Sequence, residues 1–244
     1  METLTSAPSA RQLERAFYTS MAVAMALVVV VGFARTFFLR AWFPDVPMPP
    51  EPIFLVHGVV FSAWMLLLVA QTGLIATNQV RTHRTVGIAG TVLAAAIVVM
   101  GVMAALVAAR RPEGFFGVPV PPLQFLIVPL GDMVLFGSFA ALAILWRRHP
   151  QTHKRLMLMA TIALLTAAFA RIPLLQMDNF LMTLMLANMF IVAMLAWDLF
   201  RDRRPHPVTM WAGAFSIVSV PGRLALSETA PWLAFAGWLT GGTP

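Results

Sequence analysis

The sequence predicts an all-α bundle of transmembrane helices, about seven in number, and three observations carry that prediction. Of the 244 residues, 59% are hydrophobic and only 11% charged, against roughly 25% charged in an average soluble domain. The apolar residues fall into runs long enough to cross ~30 Å of hydrocarbon as helices. The cations lie between those runs and at their ends, not in one block or stripe.

The first run, residues 17–34, follows a segment carrying Glu2, Arg11, Glu14 and Arg15. It ends at Ala34 and Arg35 without a small-residue cleavage pattern, so it reads as a retained span and not as a removed leader. Further spans are expected at about 53–76, 86–109, 122–146, 156–173, 180–197 and 208–222. Pro221 and Gly222 interrupt the last run. The stretch 224–239, with Glu228, Trp232 and Trp238, is expected to lie in the interface as a helix instead of crossing. The Pro-rich segments 43–52 and 112–122 read as semi-rigid caps, which leaves one domain over 1–244.

Sixteen arginines and one lysine give the net charge of +7. Arg11, Arg15, Arg81, Arg84, Arg147, Arg148, Lys154, Arg155, Arg201, Arg203 and Arg204 fall on the side of the N-terminus. Arg35, Arg40, Arg110, Arg111, Arg171 and Arg223 fall on the other side. That bias predicts a cytoplasmic N-terminus and, for an odd span count, an external C-terminus. Cations dispersed in this way argue for a lipid bilayer as partner and against nucleic acid. The preference for arginine and alanine suggests a GC-rich bacterial genome, hence a multi-pass inner-membrane protein. With no cysteine, disulfides, thiolate metal sites and cysteine nucleophiles are all excluded.

A faint internal repeat is visible. Thr82-His83-Arg84 follows the second expected span and Thr152-His153-Lys154 follows the fourth, each histidine seven residues past the run. Two hairpins of the same orientation make a parallel repeat about an axis along the membrane normal.

The polar residues near or within the spans are the ones that need a reason, because each is costly in hydrocarbon. Asp132 lies about ten residues into the fourth span, ~15 Å of helix rise, with Pro129 and Gly131 just before it. A packing role and a functional role are both open to it. His57, with Gln71 farther along the second span, and Arg35, Arg171 and Gln124 at the outer ends of other spans, complete a possible intramembrane polar site. Gln176, Asp178 and Asn179 fall near the same face. Arginines at such ends also simply reach for headgroups. On the cytoplasmic side, His83 and His153 are the candidates to hold a cofactor, because two neutral imidazoles at equal depth on neighbouring helices suit a bis-histidine haem b. His149 and His206 are weaker metal candidates, and Pro150 is expected to keep His149 outside the following helix. Loop histidines among arginines also occur without any ligand.

Several chemistries drop out. The single lysine, Lys154, lies in a cytoplasmic loop, so no Schiff base forms inside the bundle. No HExxH, Walker, GxSxG or DxxD pattern is present. The methionines scatter through apolar runs as packing filler.

Leu55-Val56-His57-Gly58 with Trp64 and Gln71, Thr82-His83-Arg84 with Gly87 and Gly90, His153-Lys154-Arg155-Leu156-Met157 with Arg171 and Pro173, and His206-Pro207 with Gly213 together resemble a widespread group of small uncharacterised bacterial polytopic membrane proteins. The resemblance spans residues 37–239 and implies topology, not chemistry. More distantly, histidines at the ends of hairpin-forming spans are similar to membrane cytochromes of the b type. Two haems in that pattern need four histidines in facing pairs, whereas only His57 lies inside a span here.

Three functions remain open, and no catalytic residue is assigned. The first is a redox protein with one haem or metal at His83 and His153, exchanging electrons with a partner such as quinone. The second is a small-solute or proton-coupled transporter using Asp132 with His57 and Arg171. The third is a scaffold or accessory subunit without a site.

Overall fold

The computed structural model describes residues 9–46, 49–172 and 180–242, and no strand occurs among them. Helix α1, Ala10–Gly32, opens on a capping box in which Ser9 Oγ accepts from the Gln12 amide and the Gln12 side chain accepts from the Ser9 amide. The chain continues through a π-helical turn, Ala34–Phe38, and a 3-10 turn, Arg40–Trp42. Helices α2, Pro52–Ala76, and α3, Val80–Arg110, form a hairpin whose turn holds Asn78 in the left-handed region at φ 63°.

A short helix α4, Pro122–Phe125, leads into α5, Ile127–Leu145. Pro129 explains the break at Leu126, since it cannot donate to the Phe125 carbonyl and its ring crowds that group. There follow α6 (Pro150–Ile162), α7 (Leu165–Phe169), α8 (Phe180–Asp202), α9 (Pro207–Leu226) and α10 (Ala230–Thr240). Helices α1, α2, α3 and the stretch Pro122–Leu145 are each long and apolar enough to cross a membrane.

Some helix ends differ from the expected spans. Helices α3 and α6 begin at Val80 and Pro150, six residues ahead of the apolar runs expected from 86 and 156. Each extra turn carries a histidine and cations that a hydropathy pattern does not count. The connections that precede α3 and α6 shrink accordingly, and His83 and His153 each become the fourth residue of a helix. Pro150 at the first helical position leaves His149 as the cap outside α6. Helix α9 runs straight through Pro221. The hydroxyl of Ser219 and the Nε of Arg223 donate to the Ser216 and Ser219 carbonyls on either side of the Ile217 carbonyl that the proline leaves without its amide.

One core joins the long helices. Met25 of α1, Ile97 of α3, Phe136 and Phe139 of α5, Leu156 and Met159 of α6 and Ile191 of α8 are all buried within it. Trp64 Nε1 donates to Thr161 Oγ1 at 3.1 Å, tying α2 to α6 inside that core. Gly32 lets α1 approach α7 so closely that a methyl group there would overlap the Ala168 carbonyl. At the far end of the molecule α10 docks on α3 and α4. Trp232 Nε1 donates to the Leu123 carbonyl at 2.9 Å and Arg110 Nε to the Thr240 carbonyl at 2.8 Å. With 11 residues, α10 is ~17 Å long and too short to cross a bilayer. The outward faces are apolar as well: Leu66, Ile88 and Val134 are 73%, 70% and 65% exposed. So continuous an apolar exterior suits lipid, not water.

Candidate functional site

The hairpin α2–α3 and the helix pair α5–α6 bring His83 and His153 together. Their ring centroids are 6.3 Å apart and their planes are inclined at 84°. Two imidazoles bound on opposite sides of one metal, each nitrogen about 2 Å from it, have ring centres roughly 6 Å apart. His153 Nδ1 lies 2.8 Å from the Ala143 carbonyl. A carbonyl only accepts, so Nδ1 carries a hydrogen and the neutral ring keeps its lone pair on Nε2, the tautomer a metal ligand needs. His83 Nδ1 is buried without a hydrogen-bond partner among the described residues. Gln71 belongs here too, because its Nε2 donates to the His83 carbonyl at 3.3 Å while its buried Oε1 has no partner among the described residues. Among the described residues no three His, Asp or Glu side chains converge as a metal cluster would require. Two imidazoles are the number of side-chain ligands that a bis-histidine haem takes from a protein.

His149 and His206 stand apart from this pair. They line one open groove of about 280 Å³ with Thr152 and the indoles of Trp146 and Trp211. His206 caps α9, its Nδ1 accepting from the Val208 amide at 3.2 Å. Burial, then the Arg155 guanidinium, holds His206 below the usual histidine range, against the opposing pull of Asp198.

The intramembrane candidates divide into two groups. Asp132 is held by Arg223 of α9, whose Nη1 donates to Asp132 Oδ1 at 2.8 Å and to the Val128 carbonyl at 2.6 Å. Gly131 makes room for this, since a methyl group at that position would overlap the Arg223 side chain. His57 lies on α2 and Arg171 two residues past the end of α7. His57 stacks on Phe61 with ring centroids 4.0 Å apart, and its buried Nδ1 has no partner among the described residues. Arg171 sits over the Phe33 ring at 4.9 Å and Arg35 over Phe43 at 5.4 Å, so both guanidiniums rest on aromatic faces. Gln124 is half-buried on α4. Pro173, Gln176, Asp178 and Asn179 lie outside the described residues.

No protein-family model matches the chain, and no curated protein or solved structure matches it either.

Beside His153 lies a buried charge network that the sequence-based candidates do not include. Arg155 of α6 and Asp198 of α8 are each 1% exposed and pair at 2.5 Å. Asp198 Oδ2 also accepts from Thr209 Oγ1 at 2.7 Å and from the His206 amide at 3.0 Å. Arg155 Nη1 donates to the Gln151 side chain at 2.6 Å, and Gln151 Nε2 reaches Glu14 of α1 at 3.0 Å. Glu14 further pairs with Lys154 and Arg201. Four helices are thus joined immediately beside His153. Asp198 is the signal that the sequence offers: a carboxylate closing an apolar run, surrounded in the neighbouring loops by cations, requires a buried partner.

Proposed function

We propose that the chain is a seven-span protein of the bacterial inner membrane, N-terminus inside, that holds one haem b between His83 and His153 and passes single electrons. What supports this is the approach of two imidazoles to 6.3 Å between ring centres, edge to face, one of them fixed by a carbonyl in the ligand tautomer. When bound, haem supplies a one-electron couple whose potential follows from its axial ligands and their surroundings. The protein's part is to orient. Ala143 sets the His153 ring, the Gln71 amide fixes the main chain at His83, and the α2–α3 hairpin sets the distance. Arg81 and Arg84 lie in the same first turns of α3, two residues before and one after His83, and would supply cations for the haem carboxylates. Quinone is the partner suited to a redox centre at a membrane surface.

The test is an absorption spectrum of the detergent-purified protein from haem-replete cells, oxidised and dithionite-reduced. A Soret band that shifts on reduction is expected. A colourless protein that remains folded and monodisperse overturns the redox reading.

A transporter is the second reading, and it is favoured by the Asp132–Arg223 pair, part-buried between α5 and α9. Such a pair inside a membrane can exchange a proton or an anion for its internal partner. If it does, Asp132→Asn abolishes solute or proton flux in reconstituted vesicles while its melting temperature stays within a few degrees of the parent. Unchanged flux would exclude Asp132 from that role.

A further inference from the structure

Where α5 turns into α6, and α8 into α9, two open grooves adjoin. The first, about 280 Å³, is lined by Trp146, Trp211 and His149. The second, about 620 Å³, is lined by Arg201, Asp202 and Arg204. His206 and Pro207 line both, so they form one continuous trough with an aromatic half and a cationic half. Trp146 caps the C-terminal end of a helix that is long and apolar enough to cross a membrane. Trp146 and Trp211 are 41% and 40% exposed, and indoles in that position mark the headgroup level of a bilayer. The charges in the other half are unequally committed. Arg201 pairs with Glu14 and lies 3.7 Å from Asp202. Among the described residues, Arg204 has no carboxylate within ion-pairing distance, although it faces the trough. Left-handed backbone at Arg203, φ 57°, ends α8 and turns the chain toward Arg204 and Pro205.

We propose that this trough binds the headgroup of an anionic phospholipid, with Arg204 on the phosphate and Trp146 and Trp211 flanking the glycerol and upper acyl region. The shared chemistry is that of a phosphate anion. A free phosphate would fill only the cationic half, whereas a phospholipid uses both, and the basic excess on this face of the molecule matches an anionic leaflet. The inference rests on the membrane placement proposed above and not on haem, so a colourless protein leaves it standing.

The experiment uses the full chain in a neutral detergent, titrated with short-chain phosphatidylglycerol, with short-chain phosphatidylcholine or with inorganic phosphate, and follows the melting temperature. Phosphatidylglycerol is expected to raise it saturably and phosphatidylcholine is not. Arg204→Gln is expected to raise the half-saturating concentration about fivefold, and Arg204→Lys to restore most of the response. Trp211→Leu is expected to weaken it as well. Arg11→Gln, an exposed cation on α1 outside the trough, is expected to leave it unchanged. An equal response in the parent, Arg204→Gln and Arg11→Gln proteins would mean diffuse charge attraction and overturn the site. Inorganic phosphate reproducing the shift, with Trp211→Leu silent, would overturn the lipid assignment in favour of a free anion.

Discussion

His83→Ala and His153→Ala are each expected to reduce haem content to below about one tenth of the parent level, because an iron with one axial imidazole missing loses both ligation and the restraint that centres it. The two substitutions are expected to be non-additive, the double variant being no emptier than either single one, since the rings act on one centre. Ala143 makes the contrast sharper. Its carbonyl holds the His153 ring through Nδ1 at 2.8 Å, so His153→Gln, which keeps bulk and polarity, is expected to fold normally and still lose haem. Haem extraction on equal amounts of folded protein checks all of these. Full retention of haem in both single variants would mean that the two histidines do not hold it.

Asp198→Ala is expected to cost about 3–5 kcal/mol of stability, the typical penalty for stripping one partner from a buried ion pair. Arg155 and Asp198 are each 1% exposed, and Asp198 also satisfies Thr209 Oγ1 and the His206 amide. Its removal leaves a guanidinium, a hydroxyl and a helix-capping amide together without their partner. The paired change Arg155→Met with Asp198→Leu is expected to recover much of that loss, because it removes the stranded charge along with its desolvation. Unfolding followed in detergent by circular dichroism checks both variants. A loss below about 1 kcal/mol for Asp198→Ala would imply that water reaches the pair, as it does for surface ion pairs.

How much of this was legible beforehand depends on the range of the interaction concerned. The long apolar helices were, because hydrocarbon thickness imposes a run length that any chain must show. Membrane crossing is legible as helix length and composition, and four helices meet both among the described residues. The starts of α3 and α6 were not, because their first turns are polar and amphipathic while hydropathy counts only the apolar remainder. His83 and His153 could still be paired from sequence, since the repeated Thr-His-cation triplets put each at the same depth. Asp132 stood out as an expensive residue, yet its partner Arg223 lies 91 positions away, and no periodicity in the chain names a contact at that range. The same holds for Arg155 and Asp198, 43 positions apart. The C-terminal segment divided in another way than expected. Pro221 reads as a helix breaker, but α9 continues past it to Leu226, because a proline costs a helix one backbone bond and does not always end it.

The haem proposed at His83 and His153 is read by low-temperature electron paramagnetic resonance of the oxidised, detergent-purified protein, with haem quantified on the same sample. About one haem per chain giving a low-spin ferric signal of bis-imidazole type is the predicted result. A folded protein from haem-replete cells with no ferric signal and no haem, or a high-spin signal that His83→Ala and His153→Ala leave unaltered, would mean that the two histidines do not hold a haem.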